Sequence, residues 1–251
     1  MVKIILHGCN GAMGQVIAGL ALQDSQVEIV AGVDLNTEQK NGFPVYSSLD
    51  EVKEQADVVV DFASAKAVDG LLDDCIRRKL PLVLCTTGLS QEQLEAVKAA
   101  SAQIPVLRSA NMSLGVNLLF KLVAEAAKTL AASGFDIEIV EKHHNQKMDA
   151  PSGTALALAD AVNEAMDNQY HYVYDRSCRR EKRDPLEIGI SSVRGGSIVG
   201  DHDVIFAGKD EVVTISHTAY SKAIFGKGAL AAALYLKGKE PGMYTMADVI
   251  Q

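Results

Sequence analysis

Between Glu141 and Thr154 the chain reads Glu-Lys-His-His-Asn-Gln-Lys-Met-Asp-Ala-Pro-Ser-Gly-Thr, bringing His143, His144 and the Lys147 ammonium up to what looks like a helix start. Histidine and lysine both serve as general acids where a pocket tunes them. An ammonium beside a helix N-terminus suits a carboxylate. Successive residues of an extended strand point to opposite faces, so His143 and His144 are expected to have different jobs. Asp149 or Ser152 can cap the helix, and proline is tolerated in a first turn. Gly153 gives a ligand room to meet the backbone, and the hydroxyls of Ser152 and Thr154 complete an anion nest. The inventory fits a small anionic substrate that is both gripped and protonated. The plainer alternative is ordinary capping with surface histidines.

A second chemical segment opens the chain. Gly8-Cys9-Asn10-Gly11-Ala12-Met13-Gly14 follows a short apolar run with G-x-x-G-x-x-G spacing. Cys9 stands where the common dinucleotide fingerprint has its first glycine. Gly11 fits the close approach to a pyrophosphate, and Gly14 the close packing of helix on sheet. Asp34, at the end of the second expected strand, is placed to accept the adenosine ribose hydroxyls. It repels a 2′-phosphate, and Leu35-Asn36-Thr37 offers no basic offset. This favours NADH over NADPH, with Lys40 as the nearest basic residue.

These segments need elements to hold them. Strands are expected at Val2–His7, Val27–Val33, Asp57–Phe62, Pro81–Cys85 and Ile104–Arg108. Helical patterns at Ala12–Leu22, up to Lys79, and at Gln91–Ala102 alternate with them. Unbroken apolar strands between helices indicate a doubly wound parallel sheet, an α/β arrangement of Rossmann type. The pattern changes after a long helix at Leu114–Ala132. A strand at Phe135–Val140 leads into the histidines, and Thr154–Met166 reads as a helix. Three strands follow without helices, at Glu187–Arg194, Ser197–Phe206 and Glu211–Ala219. Gly195-Gly196 suggests a tight connection between the first two. This part reads as a second, α+β domain with a mixed or antiparallel sheet, before a last helix at Ala223–Leu236.

Bulk composition sets the class. The chain has 251 residues, 48% hydrophobic and 22% charged, as in ordinary globular proteins. A formal net charge of −8 argues against general nucleic-acid binding. No apolar run is long enough to span a bilayer, and the chain enters its first strand with no room for a signal peptide. Cys9, Cys75, Cys85 and Cys178 form no Cys-x-x-Cys pair and no metal-ligand spacing, so no metal is expected and a reduced cytoplasmic setting is. Cys75 and Cys85 read as buried thiols. The basic run Arg176, Arg179, Arg180, Lys182 and Arg183 reads as a solvated loop or subunit contact. His202 and His217 read as buried, hydrogen-bonded strand histidines.

The motifs together resemble the dihydrodipicolinate reductases of bacterial lysine and diaminopimelate biosynthesis, over nearly the whole chain. The resemblance rests on Gly8-x-x-Gly11-x-Met13-Gly14, Thr86-Thr87-Gly88, Ala110-Asn111-Met112-Ser113-Leu114-Gly115-Val116-Asn117, Glu141-x-His143-His144-x-x-Lys147-x-Asp149-Ala150-Pro151-Ser152-Gly153-Thr154, and Arg194-Gly195-Gly196-x-Ile198-Val199-Gly200-x-His202. It implies a nicotinamide cofactor, NADH or NADPH. Gly8, Cys9, Asn10, Gly11, Ala12 and Met13 would line its pyrophosphate and Asp34 its ribose. Cys85, Thr86, Thr87, Ser109, Ala110, Asn111 and Met112 would lie near its nicotinamide end. Cys85 replaces a glycine common in the family. The resemblance further implies that His143 or Lys147 supplies the proton, and that His144, Lys147, Gly153 and Thr154, with Ser152 beside them, hold a small dicarboxylate. Residues 1–113 with 222–251 would bind the dinucleotide; residues 114–221 would bind substrate and build a homotetramer. Rival readings are another two-domain amino-acid dehydrogenase, a nicotinamide sensor without turnover, or a degenerate reductase.

Overall fold

The computed structural model describes residues 1–109 and 111–250. They divide into two compact units: Met1–Leu114 together with the chain from Lys222 onward, and Gly115–Ser221. Six strands come first: β1 (Val2–His7), β2 (Val27–Val33), β3 (Val45–Tyr46), β4 (Val58–Asp61), β5 (Leu82–Leu84) and β6 (Pro105–Arg108). Then come β7 (Asp136–His143), β8 (His171–Val173), β9 (Glu187–Arg194), β10 (Gly200–Ala207), β11 (Val212–Ala219) and finally β12 (Gly242–Tyr244). The helices that matter are α1 (Ala12–Ala21), α2 (Val68–Arg78), α3 (Gln91–Ser101), α4 (Leu114–Leu130), α5 (Gly153–Ala165) and α6 (Ala223–Leu236).

In the first unit the strands lie in the order β12-β6-β5-β4-β1-β2-β3, every neighbouring pair parallel. All four residues of β4 are buried, as a strand covered on both faces requires. Ile4, Leu6, Val58 and Val60 face α1 and α6; Ile5, Val59, Leu82 and Leu84 face α2 and α3. The strand order reverses at β1, with β2 on one side and β4 on the other. That opens a crevice at the carboxyl ends of these strands, the usual ligand position in such sheets. The doubly wound expectation holds. The short edge strands β3 and β12 carry too little periodicity to be read from sequence.

The second unit contains a five-stranded mixed sheet in the order β11-β10-β7-β9-β8. β7 is parallel to β9, which is parallel to β8, whereas β10 is antiparallel to both β7 and β11. Leu119, Val123 and Ala127 of α4 and Leu158 and Val162 of α5 cover Ile137, Ile139, Ile190, Val204 and Phe206. Gly195-Gly196 is not a hairpin turn. It carries the chain across the end of β7, which separates β9 from β10. Gly195 N–H donates to His143 C=O at 2.9 Å, and Asn145 N–H donates to Gly196 C=O at 3.2 Å. Paired on both sides, β7 extends past Val140 to His143.

Three further expectations change. Arg183 of the basic run is no solvated side chain: its guanidinium binds Asp136, Glu138 and the carbonyl of Ile137, clasping the loop to β7. Arg176 pairs with Glu187. His217 is only half-buried, and its Nδ1 has no partner among the described residues. His202 is buried and bonded, as expected. Cys75 is buried, but Cys85 only half so.

Candidate active site

Alternation along β7 puts Ile137, Ile139, Glu141 and His143 on the covered face. The first two join the core, which leaves a carboxylate and an imidazole at its end. Glu141 is fully buried, and such a charge persists only when its oxygens are answered. They are. Arg194 grips it in bidentate fashion, Nη1 to Oε2 at 2.8 Å and Nη2 to Oε1 at 2.7 Å. Ser152 N–H donates to Oε1 at 3.0 Å, and His143 Nδ1 lies 2.6 Å from Oε2. Burial alone would raise the Glu141 carboxyl; hydrogen bonds from Arg194, His143, Ser192 and Ser152 outweigh it and hold the pKa at about 2. An ionised Glu141 can only accept, so Nδ1 of His143 carries the proton and Nε2 is left for chemistry. Gly200 provides the space: a Cβ there would stand 3.0 Å from His143 Nε2.

His202 meets His143 edge-on, ring centroids 5.1 Å apart. Burial and the neighbouring His143 lower its pKa to about 4, so it adds no positive charge there at neutral pH. Its Nε2 lies 3.0 Å from Ser152 Oγ. Ser152, not Asp149, caps α5, its Oγ accepting from Ala155 N–H at 3.2 Å. Ser152 is 2% exposed, and its N–H and hydroxyl are both taken up inside the protein. A Cβ on Gly153, the first residue of α5, would meet only open space.

The turn from His144 to Lys147 is closed by Lys147 N–H donating to His144 C=O at 3.1 Å. His144 leaves the covered face and is half-buried, so the two histidines do differ. Lys147 Nζ pairs with Asp149 Oδ1 at 2.8 Å, and Lys147 in turn lowers the Asp149 carboxyl. Asp149 C=O accepts from Arg194 Nη2 at 2.6 Å. Arg194 thus ties β9, β7 and the 144–152 loop together. Only its place in a motif signalled it in sequence; its partner Glu141 is 53 residues away.

The dinucleotide segment lies wholly in the first unit. Gly8 has φ +78, and a Cβ there would come within 2.8 Å of the Phe62 backbone. A Cβ on Gly14 would lie 2.2 Å from Gly8 C=O, so only glycine lets α1 start this close to the turn. The N-cap Gly11 supplies no side-chain cap, which leaves first-turn N–H groups to face an anion. Asp34 Oδ2 accepts from Asn10 N–H at 2.9 Å and Oδ1 from Asn36 N–H at 3.0 Å. Asn10 Nδ2 donates to the carbonyls of Asn36 and Glu38, fastening the turn to the loop after β2. A cavity of about 530 Å³ is lined by Gly8, Gly11, Asp34, Ser64 and Lys66 among others. At the end of β5, Thr86 is buried, and its hydroxyl has no partner among the described residues.

The placement of the other expected residues varies. The Cys9 thiol is fully buried against Gly32, and desolvation raises its pKa to about 11, so only its backbone faces the turn. Ala12 and Thr87 are exposed; Met13, Cys85, Ser109 and Asn111 are half-buried. Met112 packs in the core, where a Cβ on Gly228 would collide with its carbonyl. Ala110 lies outside the described residues. The glycine turn, the open helix start and the unanswered Thr86 hydroxyl fit a dinucleotide.

Two family models divide the chain almost completely between them. Residues 2–112 match the N-terminal part of dihydrodipicolinate reductase and residues 115–250 its C-terminal part. The chain belongs to the dihydrodipicolinate reductase family. It is an oxidoreductase of the family's usual two-part build. It is 58% identical over 251 residues to the 4-hydroxy-tetrahydrodipicolinate reductase of Caldanaerobacter subterraneus subsp. tengcongensis, covering 100% of this chain and 99% of that one. Identity to the same-named protein of Clostridium tetani is 48%, over 98% of this chain and 96% of the other. In fold it resembles the dipicolinate-bound dihydrodipicolinate reductase of Paenisporosarcina sp. TG-14, with TM-score 0.82 at 24% identity and full coverage of both chains. GenD2 from gentamicin A biosynthesis, solved with NAD, shares the fold at TM-score 0.63 and 13% identity, over 99% of this chain and 90% of that one.

Proposed function

We propose that this chain reduces 4-hydroxy-tetrahydrodipicolinate to tetrahydrodipicolinate in lysine and diaminopimelate biosynthesis, using NADH in preference to NADPH. The observation that carries the reading is the Glu141–His143–Arg194 cluster at the end of β7, with Lys147 and the α5 N-terminus beside it. Gly8 to Met13 and Asp34 hold the dinucleotide, and Thr86, Thr87, Ser109, Asn111 and Met112 line its nicotinamide end. When bound, the nicotinamide would supply a hydride to ring C4, from which the 4-hydroxyl leaves as water, and one proton would complete the reduction. Lys147 exchanges Asp149 for a substrate carboxylate, and the Gly153 backbone, Thr154 and His144 hold the rest of the dicarboxylate. Glu141 fixes the ring and tautomer of His143, so the proton moves at Nε2; Lys147 Nζ is the other candidate donor. Arg194 and Ser152 act at one remove, by holding Glu141. The setting is the cytoplasm, where the four cysteines stay reduced, and the assembly is a homotetramer through the second unit's sheet.

The test is oxidation of NADH and of NADPH by purified protein, with substrate made in situ from pyruvate and aspartate semialdehyde by the preceding synthase. Substrate-dependent oxidation, faster with NADH, is expected. Cofactor binding without oxidation would instead support a sensor or a degenerate reductase.

A further inference from the structure

The cavity at the carboxyl ends of β1, β2 and β4 holds two opposite charges that do not meet. Asp34 stands on the β2 side. Lys66 stands on the other side, in the short turn between β4 and α2. Among the described residues Lys66 forms no ion pair with Asp34 or with any other carboxylate. An exposed lysine costs little unpaired, but here both ions line one space of about 530 Å³ together with Gly8 and Gly11. Ser47 and Ser64 line it too.

Other cations near Asp34 are accounted for. Lys40, the nearest in sequence, has its Nζ 3.8 Å from Glu38 Oε2 and lines a different cleft, with Met1, Ala18 and Phe43. Residues 35–37 are uncharged. Asp34 itself is partly satisfied, because each of its oxygens already accepts a backbone N–H. That weakens the repulsion it would exert on a second anion.

We infer that Lys66 is the 2′-phosphate-recognising cation of this chain: the cavity takes an adenosine ribose with a hydroxyl toward Asp34 and a 2′-phosphate toward Lys66, so NADPH is accepted beside NADH. The inference rests on the dinucleotide reading of this cavity. It adds a specificity residue from the β4 side, whereas Asp34 and the residues after it lie at the end of β2.

The test uses the full chain and binding alone. Calorimetry would compare 2′,5′-ADP with 5′-ADP on the unmodified protein, on Lys66→Ala and on Lys66→Arg. Loss of one charge-assisted contact is expected to weaken 2′,5′-ADP by about five- to tenfold in Lys66→Ala. The 5′-ADP affinity should stay within about twofold, the scatter expected of a surface change, and arginine should restore most of the loss. Equal weakening of both ligands, or no change in either, would overturn the assignment. No turnover is involved, so a selective loss of 2′,5′-ADP in an inactive protein would keep Lys66 in its role and count only against the proposed reduction. In an active protein, the kcat/KM for NADPH should fall in Lys66→Ala while that for NADH holds.

Discussion

A carboxylate cut off from solvent is tolerable only while each of its oxygens has a donor, and Glu141 has four donors. The consequence is asymmetric. Replacing Glu141 and Arg194 together by apolar groups removes a charge pair, whereas removing Arg194 alone strands a buried anion. Arg194→Ala is therefore expected to destabilise the protein by about 3–5 kcal/mol, read as a drop in the urea midpoint; a change near zero would mean that water answers Glu141. Lys147 is different, for it is partly exposed and, among the described residues, paired with Asp149 alone. Lys147→Ala should cost about two to four orders of magnitude in kcat/KM while the dissociation constant for NADH stays within about twofold. Equal loss of NADH binding would remove Lys147 from the substrate site. The types of these residues were legible in the sequence, because two histidines, a lysine and a helix start so close together have few other uses. The wiring was not. Glu141 and Arg194 meet only because β7 and β9 pair in parallel, and Ser152 meets His202 only because β10 lies beside β7.

At the scale of elements, local patterns were reliable where one face or two faces of apolar residues had to be buried. β1, β2 and α6 have the bounds the sequence suggests. The two- and three-residue edge strands were illegible, since they bury too little to leave a period. The Gly195-Gly196 link was misread for a related reason: a glycine pair reports that the backbone turns, not which strand it turns toward. At Gly14 the meaning is sharper. A methyl group there would lie 2.2 Å from one backbone oxygen and 2.5 Å from another, with no flexible side chain to give way. Gly14→Ala should therefore push α1 off the turn and weaken binding of both NADH and NADPH by at least about tenfold, an effect of roughly 1.4 kcal/mol or more. Gly19→Ala is the control, since a Cβ at that helical position meets nothing. Equal behaviour of the two variants would argue against the tight start of α1.

For the molecule as a whole, buried ionisable groups make stability depend on pH. His202 has an ordinary value near 6.5 in the unfolded chain and about 4 when folded. Between these values the unfolded chain binds a proton that the folded site refuses, so this part of the stability is complete above about pH 6.5 and is lost as pH falls toward 4. The loss between about pH 7 and pH 5 is on the order of 2 kcal/mol. Glu141 adds a second loss of the same sign, from the ordinary carboxylate range down to about 2. Urea unfolding at the two pH values should show the first effect, and His202→Gln should flatten it; an unchanged slope in the variant would place the sensitivity elsewhere. Both groups lie in the second unit, which is one continuous stretch of chain, while the first is split. A ribosome completes Gly115–Ser221 before it has made α6, which buries one face of the first sheet, or β12, which extends its edge. The unit that begins first is finished last. Its nascent half must wait with one apolar face uncovered for more than a hundred residues of synthesis, and that interval is when a chaperone would be needed most.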